Sequence, residues 1–134
     1  MTRELDQFYM KLAIDLALKG EGQTSPNPLV GAVVIKSGKV IAKGYHKKAG
    51  LPHAETIALR KAGKQSIGAD LFVNLEPCCH HGRTPPCVEA IIEARIKRVV
   101  IGVSDPNNLV NRKSIRLLRK KGIGVVTGVL KKDC

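Results

Sequence analysis

The order of patterns along the chain constrains its fold most. A β-rich pair of runs, LVGAVVIKSGKVIAKGY, is followed by three short apolar runs, ADLFVNL, KRVVIGV and GIGVVTGV, each preceded by a helix-periodic segment. The pair reads as a hairpin around Ser37-Gly38, because glycine supplies the positive φ that a tight turn requires. Strands that alternate with helices pair in parallel and need helices on both faces. The expectation is an α/β chain with a mixed sheet.

The helical segments carry their own boundaries. Asp6 to Lys19 repeats Phe8, Leu12, Leu16 and Ala13, Ala17 at three- and four-residue intervals, which predicts an amphipathic helix ended near Gly20 and Gly22. AETIALRKAG predicts a helix with Gly63 as its stop. Pro85 and Pro86 suit the approach and first turn of a helix near VEAIIEARI, and NRKSIRLLRKK predicts a basic helix whose charges form a solvated face. GQTSPNP reads as a turn. No linker, repeat or low-complexity tract interrupts the pattern, so a single domain over residues 1–134 is expected.

A chain of 134 residues can bury a continuous core without metal or disulfides, so a metal here would serve function first. No run is long enough to cross a bilayer, which predicts no membrane partner. MTRELDQFYMKLAIDLALKG mixes charges through its apolar residues and lacks the form of a secretory signal, so a cytoplasmic location is expected. The formal charge of +12 attracts nucleic acid, anionic surfaces or phosphorylated metabolites. With two Phe, two Tyr and no Trp there is little from which to build a stacking platform for single strands, which argues against nucleic acid.

EPCCHHGRTPPC, residues 76 to 87, holds three of the four cysteines, two of the four histidines and three of the seven prolines. A disulfide framework, a rigid turn with buried cysteines and part of a metal site all compete to explain it. Adjacent Cys78 and Cys79 in a reducing compartment weigh against the first. A catalytic zinc takes three protein ligands and leaves a fourth position for water. Cys78 and Cys87 supply two ligands; His53 in PHAET supplies the third, and Glu55 falls within the same helical turn. His-x-Glu followed by Pro-Cys and a second cysteine is the pattern of zinc-dependent nucleobase deaminases. There the metal lowers the pKa of bound water, and the carboxylate carries protons without binding the metal. His53 and Cys87 both sit at expected helix starts, where the helix field favours a thiolate and helps fix ligand direction. About one zinc per chain is expected.

Taken in order, TSPNPLVGAVV, GYH, AGLPHAE, LEPCCHHGRTPPC and SDPN resemble the deaminase domain of the bacterial bifunctional riboflavin-biosynthesis deaminase-reductases. The resemblance runs through most of the chain, and the long loop between Cys78 and Cys87 is more specific than the zinc pattern alone. It implies a three-layer α/β/α cytidine-deaminase-like fold with a roughly five-stranded sheet. It also implies hydrolytic removal of an amine from a diaminohydroxypyrimidine carrying a ribosylamino 5-phosphate. By the same resemblance, His53, Cys78 and Cys87 are zinc ligands, Glu55 is the proton shuttle, and Asn27, His46, Arg83, Asp105 and Asn107 are substrate contacts. His80 falls beside the site or in the substrate loop. The chain departs from the family at DPNNLVNRKS, where Asn108, Arg112 and Ser114 replace an expected Pro, Gly and Gly. Ending at Cys134, it is expected to lack the reductase domain, whose step then falls to a separate reductase protein unless the chain is a truncated product. Relatives of this fold usually associate, so a homo-oligomer is expected.

Other readings of the same residues stay open at the level of sequence. His46 at a strand end fits a structural histidine as well as a ligand contact, and Asn27 between two prolines fits a turn cap. Arg83 suits a phosphate or a polarised ring oxygen, against a solvated surface position. Asp105 and Asn107 precede a helix, where such side chains commonly cap. Cys79 and Cys134 read as the neighbour of a ligand and as tail. A deaminase acting on tRNA and a non-catalytic binding module that keeps the zinc fold are the rival functions.

Overall fold

Ser37 and Gly38 both adopt positive φ, 51° and 75°, so the chain reverses in two residues and Lys36 pairs with Lys39. This is the expected hairpin, in the turn class whose twist matches its strands. The computed structural model describes residues 3–22, 29–47, 53–77, 87–103 and 113–133. In chain order its elements are α1 (Arg3–Leu18), β1 (Gly31–Lys36), β2 (Lys39–Tyr45), α2 (Ala54–Ala62), β3 (Asp70–Leu75), α3 (Cys87–Glu93), β4 (Arg98–Val103), α4 (Lys113–Lys120) and β5 (Gly124–Thr127). Short 3₁₀ turns at Gly63–Ser66 and Lys131–Asp133 were not legible in the periodicity.

The five strands form one mixed sheet in the order β2-β1-β3-β4-β5. β1 runs antiparallel to both β2 and β3, whereas β3, β4 and β5 are parallel. Alternate side chains separate the core into two layers. Ala32, Val34, Leu71, Val73, Val99 and Ile101 pack with apolar residues of α2, α3 and α4. Val33, Ile35, Phe72 and Val100 pack with Tyr9, Met10, Ala13 and Leu16 of α1. Covered on both faces, β1, β3 and β4 are near-continuous apolar runs.

Of the apolar positions expected to form the face of α1, Ala13, Leu16 and Ala17 are buried and Leu12 is partly buried. Tyr9, Met10, Ala13, Leu16 and Ala17 face the sheet, while Phe8 is 60% exposed. The helix approaches the sheet closely along its small Ala13 and Ala17: a Cβ on Gly31 would collide with the Ala13 carbonyl. Across the sheet, α4 buries Ile115 and Leu118 and leaves Arg116, Arg119 and Lys120 in solvent, as the basic run predicts. Among the described residues, no helix is long and apolar enough to cross a membrane.

Asp6 of α1 and Asp70 at the start of β3 both bind Arg98 at the start of β4. Its guanidinium donates to both oxygens of Asp6, at 3.1 and 2.9 Å, and to Asp70 Oδ2 at 3.0 and 3.2 Å. The hydrogen bonds to Asp6, opposed by burial and joined by those to Asp70, hold Arg98 still more firmly protonated than an ordinary arginine.

Candidate active site

His53 is the N-cap of α2. Its backbone is extended, its carbonyl accepts the Ile57 N–H at 3.1 Å, and its ring makes no capping bond, so the imidazole is directed elsewhere. Nδ1 lies 3.3 Å from Sγ of Cys87, the first residue of α3 and buried. Two helix starts 34 positions apart thus bring an imidazole nitrogen and a sulfur together. Glu55, in the first turn of α2, is buried at 3% exposure, and Thr56 Oγ1 lies 4.0 Å from the same sulfur.

This donor pair fits zinc. Roughly 2.05 Å to nitrogen and 2.3 Å to sulfur, at a tetrahedral angle, put the two atoms about 3.6 Å apart. The observed 3.3 Å is short of that by only about 0.3 Å, so both can face one ion with little movement. Among the described residues no three His, Cys, Asp or Glu side chains gather as a metal-sized cluster. Cys78, the third expected ligand, lies outside the described residues, as do Asn27, His80, Arg83, Asp105 and Asn107.

His46 is the one expected substrate contact within the described residues. It is buried, its backbone N–H donates to the Val30 carbonyl at 3.0 Å, and its ring meets that of His53 edge to face with centroids 5.0 Å apart. Two positions earlier, Gly44 lets the start of α2 lie against β2. Asn74 of β3 ties down the chain leading into β1, accepting from the Gly31 N–H at 2.9 Å and donating to the Leu29 carbonyl at 3.0 Å.

Two residues that the zinc pattern did not single out meet between β3 and α4. Ser114, one of the departures at DPNNLVNRKS, is fully buried and donates its hydroxyl to Oε2 of buried Glu76 at 2.6 Å. The signal for Glu76 was its place in EPCC, two residues before Cys78. A separate open groove of about 930 Å³ is lined by Arg3, Arg98, Val126 and Lys132 among others, and includes none of His46, His53, Glu55 or Cys87.

An imidazole–sulfur pair formed by two helix starts, with a buried carboxylate in the first turn of one of them, on a mixed five-stranded sheet with helices on both faces, defines the class. Residues 3–103 match the family described as the cytidine and deoxycytidylate deaminase zinc-binding region, and the chain belongs to it. Within that family it is 56% identical over 133 residues to riboflavin biosynthesis protein RibD of Aquifex aeolicus, covering 99% of this chain and 37% of that protein. It is 48% identical over 128 residues to the diaminohydroxyphosphoribosylamino-pyrimidine deaminase of Buchnera aphidicola, covering 96% of this chain and 87% of that protein. A solved diaminohydroxyphosphoribosylaminopyrimidine deaminase/5-amino-6-(5-phosphoribosylamino)uracil reductase from Thermotoga maritima superposes with a TM-score of 0.92 at 48% identity, covering 98% of this chain and 38% of that one. The chain therefore spans little more than a third of the length of its RibD relatives.

Proposed function

We propose that this chain hydrolytically deaminates a diaminohydroxypyrimidine bearing a ribosylamino 5-phosphate, a step of riboflavin biosynthesis. The observation that carries the reading is the convergence of His53 and Cys87, with Glu55 buried in the first turn of the helix that His53 caps. The substrate follows from the names of the relatives, above all the Buchnera deaminase that the chain nearly spans. The charge of +12 suits a phosphorylated substrate.

His53, Cys78 and Cys87 would hold the zinc, one per chain. When bound, zinc supplies Lewis acidity that makes water a nucleophile at neutral pH. Glu55 takes one proton from the attacking water and gives it to the ring nitrogen, then takes the proton of the hydroxyl now on carbon and gives it to the departing amine. Water adds at the amine-bearing carbon, the C–N bond breaks, a ring carbonyl forms and ammonia leaves. Burial of Glu55 keeps bulk solvent from competing for its proton. Asn27, His46, Arg83, Asp105 and Asn107 orient the substrate, with His80 beside them; His46 does so from a ring already packed on the His53 imidazole. The product then passes to a reductase on a separate protein or a further part of the same one, and the working form is a cytoplasmic homo-oligomer.

The test is ammonia release from the phosphorylated aminopyrimidine and from its dephosphorylated form, with zinc measured on the same sample. Turnover that prefers the phosphorylated compound supports the reading. Bound zinc without turnover of it, or inosine formation in tRNA in its place, rules the reading out.

A further inference from the structure

We infer that Glu76 is a positioning residue that, through its hydrogen bond to Ser114, holds both ends of the segment carrying Asp105 and Asn107 against the strand that delivers Cys78. The inference deepens the deaminase reading and rests on it for its kinetic test.

Glu76 is bonded on both sides of that segment. Its backbone N–H donates to the carbonyl of Val103 at 2.9 Å, one residue before the segment begins. Its side chain accepts from Ser114 Oγ at 2.6 Å, in the first turn of α4 just beyond the segment's end. The chain then continues from Glu76 through Pro77 to Cys78. A single residue therefore joins the entry and exit of residues 104–112 to the polypeptide that leads into the metal site.

The side-chain bond is a strong one for its kind. A separation of 2.6 Å falls in the range of hydroxyl-to-carboxylate bonds, roughly 2.5–2.7 Å. Glu76 and Ser114 are 3% and 0% exposed, so no water stands ready to replace either partner. Removing the hydroxyl should loosen the exit of the segment while leaving its entry, held by backbone, in place. Substrate grip should suffer, and the metal ligands should not.

The experiment compares wild type with Ser114→Ala, Glu76→Gln and the double variant. For Ser114→Ala we expect zinc unchanged at about one per chain, KM for the phosphorylated aminopyrimidine raised about tenfold, and kcat within about threefold of wild type. The double variant should be no worse than the poorer single one, because the two residues act as a unit. Amides of residues 104–112 should exchange with solvent faster in Ser114→Ala than in wild type. Unchanged KM and exchange, loss of zinc, or single effects that multiply in the double variant would each overturn the inference. If Glu76→Gln does not fold, Ser114→Ala decides alone. If wild type itself does not turn over, the deaminase reading falls, and amide exchange in Ser114→Ala still decides the strut.

Discussion

The carbonyl oxygen of Ala54 lies 2.6 Å from the point that a Cβ on residue 44 would occupy, and the Ala58 nitrogen lies 2.9 Å from it. Gly44 is therefore what lets the first turn of α2, with His53 and Glu55, rest directly on β2. Gly44→Ala must push that turn away from the sheet. We expect a loss of about 1–3 kcal/mol in unfolding free energy, with weaker zinc binding measured by competition with a chromophoric chelator.

If His53 and Cys87 share an ion, either His53→Ala or Cys87→Ser should drop bound zinc well below one per chain. Removing zinc from wild type with a chelator should abolish turnover but leave a cooperative unfolding transition, because two apolar layers, not the metal, hold the sheet. Metal analysis alongside circular dichroism checks both. A chain that unfolds on chelation would mean that the metal is structural.

Glu55 should separate chemistry from metal binding. Glu55→Gln preserves size but cannot carry a proton, so kcat should fall by about 10²- to 10⁴-fold while zinc content stays that of wild type. Steady-state ammonia release and metal analysis measure the two. A fully active variant would remove Glu55 from the mechanism.

Arg98 should matter to stability and not to catalysis. Its side chain is 19% exposed, between a surface pair and a buried one, so Arg98→Met should cost about 1–3 kcal/mol. Its pKa is raised on folding, so its contribution is complete below the ordinary arginine value and is lost only as pH climbs through the still higher folded value. The difference between wild type and Arg98→Met should therefore stay flat from about pH 6 to 10, as denaturant titrations across that range would show.

Much of the architecture was legible because it is local. The alternating apolar runs became β1 to β5 with boundaries close to those expected, and Gly63, with φ of 56°, ends α2 where the pattern stopped. The face of α1 was legible in part: Ala13, Leu16 and Ala17 are buried as their spacing predicts, but Phe8, read with them, is 60% exposed while Tyr9 and Met10 pack on the sheet. Ser114 read as a departure from a glycine, and its buried bond to Glu76, 38 positions away, has no trace in spacing.

By itself, the amino-acid order determined which segments are strands and helices, since residue type, periodicity and turn chemistry act over a few neighbouring positions. Only the tertiary structure decided that Phe8 of α1 faces solvent, that Nδ1 of His53 meets the Cys87 sulfur, and that Glu76 links β4 to α4. Those relations depend on how strands pair and how closely helices approach them, and the shape of the whole packed core sets both.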